Sequence, residues 1–189
     1  MITKVEKEAR ALRSAEDVFT RYGYARTTMG DIAAAAGMSR PALYLLFPDK
    51  DAIFTRVIEE MDRRTLAGIE TALREIAPLR EKLLYACSVW GLHGMELAAA
   101  HPDAADLFDL RFVAVRQVYA NFQALLVRLL SDTLAQSDLG ATPEDVACAM
   151  TYGMRGLRHA CSSVEEMRHM IHVHVEAYSK ALQATEGVS

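Results

Sequence analysis

Apolar residues recur at intervals of three and four along most of the chain, a spacing that places side chains on one face of an α-helix. Strict alternation of apolar and polar residues is absent, and so are the Asn-Gly and Asp-Gly pairs typical of β-hairpins. The sequence therefore predicts an all-α fold.

Capping residues and prolines divide this pattern into about nine helices. Thr3, Thr28 and Thr142 are each followed three residues later by an acidic residue, which is the sequence of a capping box at a helix start. The predicted helices cover residues 4–22, 28–36, 39–46, 49–76, 78–99, 102–108, 109–136, 142–160 and 163–184. We expect two domains, a three-helix domain over residues 1–50 and a larger helical domain over residues 51–189.

Residues 24–51 have the layout of a helix-turn-helix. A short helix ends at Ala36, Gly37 permits the left-handed backbone of a tight turn, and Ser39 caps a helix with Pro41 in its first turn. Several apolar residues have the spacing to pack inward: Phe19, Tyr22, Ile32, Ala36, Leu43 and Phe47. In a helix-turn-helix the second helix enters the major groove of DNA, so the first fifty residues predict a DNA-binding domain.

The same segment resembles the N-terminal domain of the tetracycline-repressor (TetR/AcrR) family. The likeness extends over residues 19–54 and rests on Phe19, Gly23, Thr28, residues 31–37, Ser39, Leu43, Tyr44, Phe47 and Lys50. Beyond residue 55 it is confined to chain length and helical layout. The resemblance implies a homodimeric repressor that binds a palindromic operator in double-stranded DNA and is released by a small-molecule effector.

The resemblance also implies which residues contact DNA. Thr28, Tyr44 and Lys50 would bind backbone phosphates, contacts that position a protein without reading the sequence. Bases would be read at the start of helix 39–46, by Ser39, Arg40, Pro41 and Ala42, with Arg40 expected at a guanine edge. Two leucines depart from the polar or aromatic residues frequent in the family. Leu45 is expected to meet a thymine methyl group, and Leu46 to turn inward.

The charge distribution agrees with this interpretation. Residues 1–50 carry eight Lys or Arg and six Asp or Glu, a net charge of +2, whereas residues 51–189 carry thirteen and nineteen, a net charge of −6. This contrast suits a DNA-binding head on an acidic body. The chain has no run of about 18 apolar residues, and its charged N-terminus lacks the apolar stretch of a signal peptide. We therefore expect a cytoplasmic protein that does not associate with membranes.

The middle helices are predicted to surround a ligand. Helices 78–99 and 109–136 are apolar on more than one side, so other helices must cover them or they must enclose something. The resemblance assigns this interior to the effector, with an expected lining of Trp90, His93, Met95, Glu96, Arg111, Arg116 and Tyr119. The alternative is an ordinary packed core, which would belong to a constitutive or DNA-organising regulator without an effector.

The last two helices are predicted to form the dimer interface, because small residues along one stripe allow close approach of two backbones. This interface would contain Ala149, Gly153, Gly156, Leu157 and Ala160 on the first helix, and Met167, Ile171, His174 and Tyr178 on the second. Two such helices from each subunit would build a four-helix interface.

Other chemistry is not expected. His169 and His172 share a polar helix face with two glutamates, but this spacing is more typical of a solvated surface than of a metal site. The three cysteines, Cys87, Cys148 and Cys161, are widely spaced within apolar patterns and are predicted to be reduced core thiols. No catalytic triad or nucleotide-binding glycine loop is recognisable, so we expect neither an enzyme nor a cofactor.

Overall fold

The structure is a computed structural model that describes residues 3–101, 104, 107–137 and 139–183. These residues form eight α-helices, and the all-α prediction is confirmed. The helices are α1 (Lys4–Arg26), α2 (Met29–Ala35), α3 (Arg40–Tyr44), α4 (Lys50–Leu73), α5 (Leu79–Ala100), α6 (Val113–Leu134), α7 (Pro143–Ala160) and α8 (Val164–Gln183).

The segment between α5 and α6 differs from the prediction. Of the helix expected over 102–108, residues 102, 103, 105 and 106 lie outside the described part of the chain, and the other described residues there, 104, 107 and 108, have 3₁₀ geometry. The helix expected from residue 109 begins only at Val113. Asp109 delays it, because its carboxylate accepts the backbone N–H of Arg111 at 2.8 Å and its carbonyl accepts that of Phe112 at 3.1 Å.

The predicted capping boxes are present at the starts of α1, α2 and α7. In each box a threonine hydroxyl accepts the backbone N–H three residues on, and the acidic side chain there accepts the threonine's own N–H. These hydrogen bonds stabilise the carboxylates and lower the pKa values of Glu6, Asp31 and Asp145.

The chain divides into two compact units, the first comprising Met1–Arg63 and Leu97–Val118. It extends beyond the predicted boundary at residue 50, because Phe54 on α4 contacts Phe19 at a centroid distance of 5.1 Å and Phe112 at 4.8 Å. Tyr24 joins this aromatic cluster, 4.9 Å from Phe54. Tyr22 was expected there, but it is 47% exposed.

A break in α1 explains this exchange of tyrosines. Gly23 has φ 73° and ψ 168°, which interrupts the helix at the residue predicted to end it. The direction of the chain changes there, and Tyr24 rather than Tyr22 faces Phe54. The hydroxyl of Thr27 donates to the Gly23 carbonyl at 2.7 Å and stabilises the break.

The second unit comprises Arg64–Glu96 and Tyr119–Ser189. Its core is built from apolar residues of α4, α5, α6, α7 and α8, and α7 packs on α8. Cys87 and Cys161 are buried in it, as predicted, whereas Cys148 is exposed. Burial raises the pKa of the Cys87 thiol to about 12. No helix in the described ranges is long and apolar enough to cross a membrane.

Candidate nucleic-acid interface

A tight turn joins α2 to α3 and fixes the angle between them. Gly37 has φ 60°, and the backbone N–H of Met38 donates to the Ala33 carbonyl at 2.9 Å. Ile32 and Leu43 are fully buried on the inner sides of the two helices. The outer side of α3 is therefore held rigidly at the surface, as a recognition helix requires.

Most residues predicted to contact DNA are exposed. Thr28 is exposed at the start of α2, and the others lie on α3 or at its ends: Ser39, Arg40, Pro41, Tyr44 and Leu45. Ser39 caps α3 by accepting the N–H of Ala42 at 3.3 Å, and Ala42 itself is half-buried. Leu45 is 82% exposed, whereas Leu46 is half-buried, in keeping with the different orientations expected for the two leucines.

Arg40, the expected reader of guanine, lies across α2. A Cβ built on Gly30 would come within 2.7 Å of the Arg40 Cζ, so the guanidinium occupies the space that the missing side chain leaves. Its charge also contributes to the lowered pKa of Asp31, after the larger effect of Thr28. Arg40 is thus exposed, but its guanidinium rests against α2.

Thr28 is already engaged at the start of α2. Its hydroxyl donates to the Asp31 carboxylate at 2.7 Å and accepts the Asp31 N–H at 3.2 Å. A phosphate contact by this hydroxyl would require exchange of the bond to the carboxylate, so the predicted contact competes with the capping box.

Lys50 faces the protein rather than solvent alone, which the sequence did not indicate. Its ammonium donates to the carbonyl oxygens of Tyr24 at 2.8 Å and Thr27 at 3.0 Å, and lies 4.1 Å from the centre of the Tyr24 ring. The Tyr24 hydroxyl donates to Asp51. Burial, followed by the bond to Asp51, raises the pKa of Tyr24 to about 12. Lys50 thus fastens the end of α1 to the start of α4.

The residues expected to line an effector pocket are only partly brought together. Trp90 stacks on Phe122 at 4.3 Å and meets Tyr119 edge to face at 5.3 Å. Tyr119 accepts a hydrogen bond from Arg158 at 2.8 Å and stacks on Tyr152 at 5.8 Å. Met95 is buried in the same core. Phe122, Tyr152 and Arg158 were not among the residues expected to line the pocket, because nothing local distinguishes them from ordinary helix residues.

The polar residues expected in that pocket are exposed or have partners close to them in the chain. His93 and Glu96 are exposed on α5. Arg111 and Arg116 belong to the first unit, where Arg111 pairs with Asp109 at 3.2 Å. Arg116 donates to the Leu110 carbonyl at 2.6 Å, and so closes the turn before α6.

The residues predicted for the dimer interface fall into two groups. Ala149, Gly156 and Ala160 are exposed on α7, whereas Gly153, Leu157, His174 and Tyr178 are half-buried. Met167 and Ile171 are fully buried, a correction to the prediction, because α8 turns this apolar stripe into the chain's own core. Tyr152 and Val173, which were not predicted, are exposed large residues on α7 and α8.

The ring of His174 on α8 accounts for the glycine at position 153 on α7. A Cβ on Gly153 would lie 3.0 Å from His174 Nε2, so Gly153 makes room for this ring within the subunit. The ring nitrogen lies 3.1 Å from the Met150 carbonyl oxygen, and burial lowers the pKa of His174. His169 and His172 are exposed, and no cluster suited to a metal occurs among residues of the described chain.

Comparison with known proteins identifies a family model and several relatives that match part of the chain. Residues 11–57 match the family model described as bacterial regulatory proteins of the tetR family. The HTH-type transcriptional regulator YfiR of Bacillus subtilis is 34% identical over 73 residues, which cover 39% of this chain and 32% of YfiR. The HTH-type transcriptional regulator RutR of Escherichia coli is 28% identical over 108 residues, which cover 57% of this chain and 49% of RutR. The matched region thus spans about a third to a half of these relatives.

Solved structures resemble the chain over most of its length. The fatty acid degradation regulator FadR of Bacillus halodurans has a TM-score of 0.72 at 17% identity, covering 92% of this chain and 96% of FadR. A TetR-like transcriptional regulator from a Rhodococcus species has a TM-score of 0.66 at 21% identity, covering 95% and 99%. At these identities the likeness concerns the fold.

Proposed function

We propose that the chain is a DNA-binding transcriptional regulator of the TetR family that acts as a homodimer on a palindromic operator, since residues 11–57 match that family's model. The observation that carries this proposal is the rigid α2–turn–α3 unit, which presents Arg40, Tyr44 and Leu45 on one exposed side. The family's regulators are non-enzymatic, in agreement with the prediction for this chain. A cytoplasmic location follows from the proposal, since the operator lies in that compartment.

The proposed dimer interface is an exposed face of α7 and α8, which we call the α7/α8 face. It comprises Ala149, Tyr152, Gly156, Ala160, Val173 and Ala177. Small residues alternate there with two large ones, so a second copy can approach closely and bury both. A dimer has a functional reason, since a palindrome is read by two recognition helices held about 34 Å apart.

The mode of regulation is the finer part of the proposal. We expect a repressor whose effector binds among α5, α6 and α7. The effector must bind the conformation that does not bind DNA more tightly than the conformation that does, because equal affinity for both would leave their equilibrium unchanged. A regulator without an effector is the second candidate. It is favoured by the close stacking of Trp90, Phe122 and Tyr119, which fills part of the expected pocket with side chains.

Selection of random-sequence duplex DNA by the full chain tests the function. We expect enrichment of a palindrome and a complex with two chains per duplex by analytical ultracentrifugation. Arg40→Ala should relax the base preference, whereas Tyr44→Phe should weaken binding to all sequences alike. Lys180→Ala, an exposed charge on α8, serves as the control. Failure to enrich any duplex would refute DNA binding.

A further inference from the structure

Three cations of α1 line an open groove beside the recognition helix. Lys4, Lys7 and Arg10 form one wall, and Ala42 and Leu45 contribute to the other. The groove has a volume of about 570 Å³ and lies within the first unit. It is therefore a basic concavity on the same side of the domain as the predicted base-reading residues.

The two acidic residues beside these cations on α1 are bound elsewhere. Glu6 is held in the capping box with Thr3, and Glu8 pairs with Arg56 on α4 at 3.7 Å. The Arg10 Nε is buried without a hydrogen-bond partner among the residues that the structure describes. The same side chain lines the groove, where its guanidinium adds a third positive charge.

The position of the groove indicates which anion it meets. Ala42 and Leu45 belong both to the groove and to the outer side of α3. The major groove is about 12 Å wide, so a helix within it is flanked by a sugar–phosphate strand on each side. The strand on the α1 side would pass along Lys4 and Lys7.

We propose that Lys4, Lys7 and Arg10 bind the phosphodiester backbone of the DNA strand that borders the major groove entered by α3. The inference rests on the proposed DNA binding and adds phosphate contacts that precede the helix-turn-helix in the chain. It also accounts for the position of Leu45, which lies at the end of α3 and lines the groove. Such contacts strengthen binding to every sequence without changing the preferred one.

The salt dependence of binding measures these contacts directly. The probes are the duplex selected by the wild-type chain and a mixed-sequence duplex of equal length. In the dimer, Lys4→Gln with Lys7→Gln removes four phosphate contacts and should make the slope of log affinity against log salt less negative by about 3.6, since each lost contact contributes about 0.9. Adding Arg10→Gln removes two more contacts and should change the slope by about a further 1.8. The preferred sequence should not change.

Arg13→Gln is the matched control, because it removes the same charge from an exposed position on α1 that does not line the groove. Ethylation interference gives a second measurement: modified phosphates at one edge of the site should inhibit the wild type and the control but not the triple variant. Circular dichroism and urea unfolding establish that each variant is folded.

The outcomes distinguish this inference from the proposed DNA binding on which it rests. If the wild type binds no duplex, both are overturned. If the wild type binds, but the double variant keeps the slope of the Arg13→Gln control, only the groove proposal fails.

Discussion

The Lys50 ammonium donates to the carbonyl oxygen of Tyr24 at 2.8 Å and lies over the ring of the same residue. Because the second bond, to Thr27, satisfies another carbonyl at the end of α1, Lys50→Met should destabilise the first unit as well as weaken DNA binding. Hydrogen bonds to charged groups contribute about 1.5–3 kcal/mol, and we expect a loss near the lower value. Urea unfolding monitored by circular dichroism measures it.

Lys180→Met is the control for that measurement, because Lys180 is exposed on α8. Equal unfolding free energies for the two variants would mean that the Lys50 ammonium has no role in stability and is available to a phosphate without cost.

Gly30 provides the space in which Arg40 rests against α2. Gly30→Ala should displace the guanidinium, at little cost because the displaced group is the end of a flexible side chain. If the resting position competes with base contact, the variant should bind the selected duplex more tightly, by about fivefold, through a larger competent fraction. Fluorescence anisotropy measures this change. The gain should vanish in the Arg40→Ala background; a gain that persists there would have another origin.

Ile171 lies on the buried side of α8 and Val173 on its exposed side. Ile171 is fully buried and Val173 is 43% exposed. Ile171→Ala should cost about 2–5 kcal/mol of unfolding free energy because it leaves a cavity. Val173→Asp should change the unfolding free energy of the isolated subunit by about 0.5 kcal/mol or less, yet shift the chain from dimer to monomer in sedimentation. A fully dimeric Val173→Asp protein would remove the α7/α8 face as the interface.

His174 makes stability sensitive to pH. Burial lowers its pKa from the ordinary value of 6.5, so the folded state favours the neutral ring. The stability that this provides is present above the ordinary pKa and is lost as pH falls through the folded one. His174→Gln should therefore lose less unfolding free energy than the wild type between about pH 7 and pH 5.

His169→Gln, an exposed position on the same helix, should behave like the wild type in that titration. His159, whose pKa is lowered by burial and by Arg158 and Arg155, remains in all three proteins and contributes equally. Identical pH profiles for His174→Gln and the wild type would contradict the assignment.

Helix starts were predictable because they are decided locally. The capping boxes at Thr3, Thr28 and Thr142 and the cap at Ser39 involve residues three apart, so the sequence contains all of their determinants. The tight turn at Gly37 has the same character. For this reason the helix-turn-helix could be placed from the sequence almost residue by residue.

Contacts between distant parts of the chain were not predictable in this way. Lys50 meets carbonyls 23 and 26 residues away, and nothing beside it in the sequence indicates that its ammonium is engaged. The apolar stripe containing Met167 indicates that one side of α8 is buried. It does not indicate whether that side packs against helices of the same chain or against a partner subunit. Periodicity identifies a face; the surrounding helices decide its neighbour.

The exposed Leu45 has a consequence for the thermodynamics of association. The Leu45 side chain is 82% exposed, so water is ordered at its surface. Burial of this side chain releases that water and is accompanied by a negative change in heat capacity. Any complex that covers Leu45 therefore gains from this side chain a contribution that makes the binding enthalpy more favourable as temperature rises. The difference in heat-capacity change between the wild type and Leu45→Ala, from calorimetry at several temperatures, would record the covering of this one leucine.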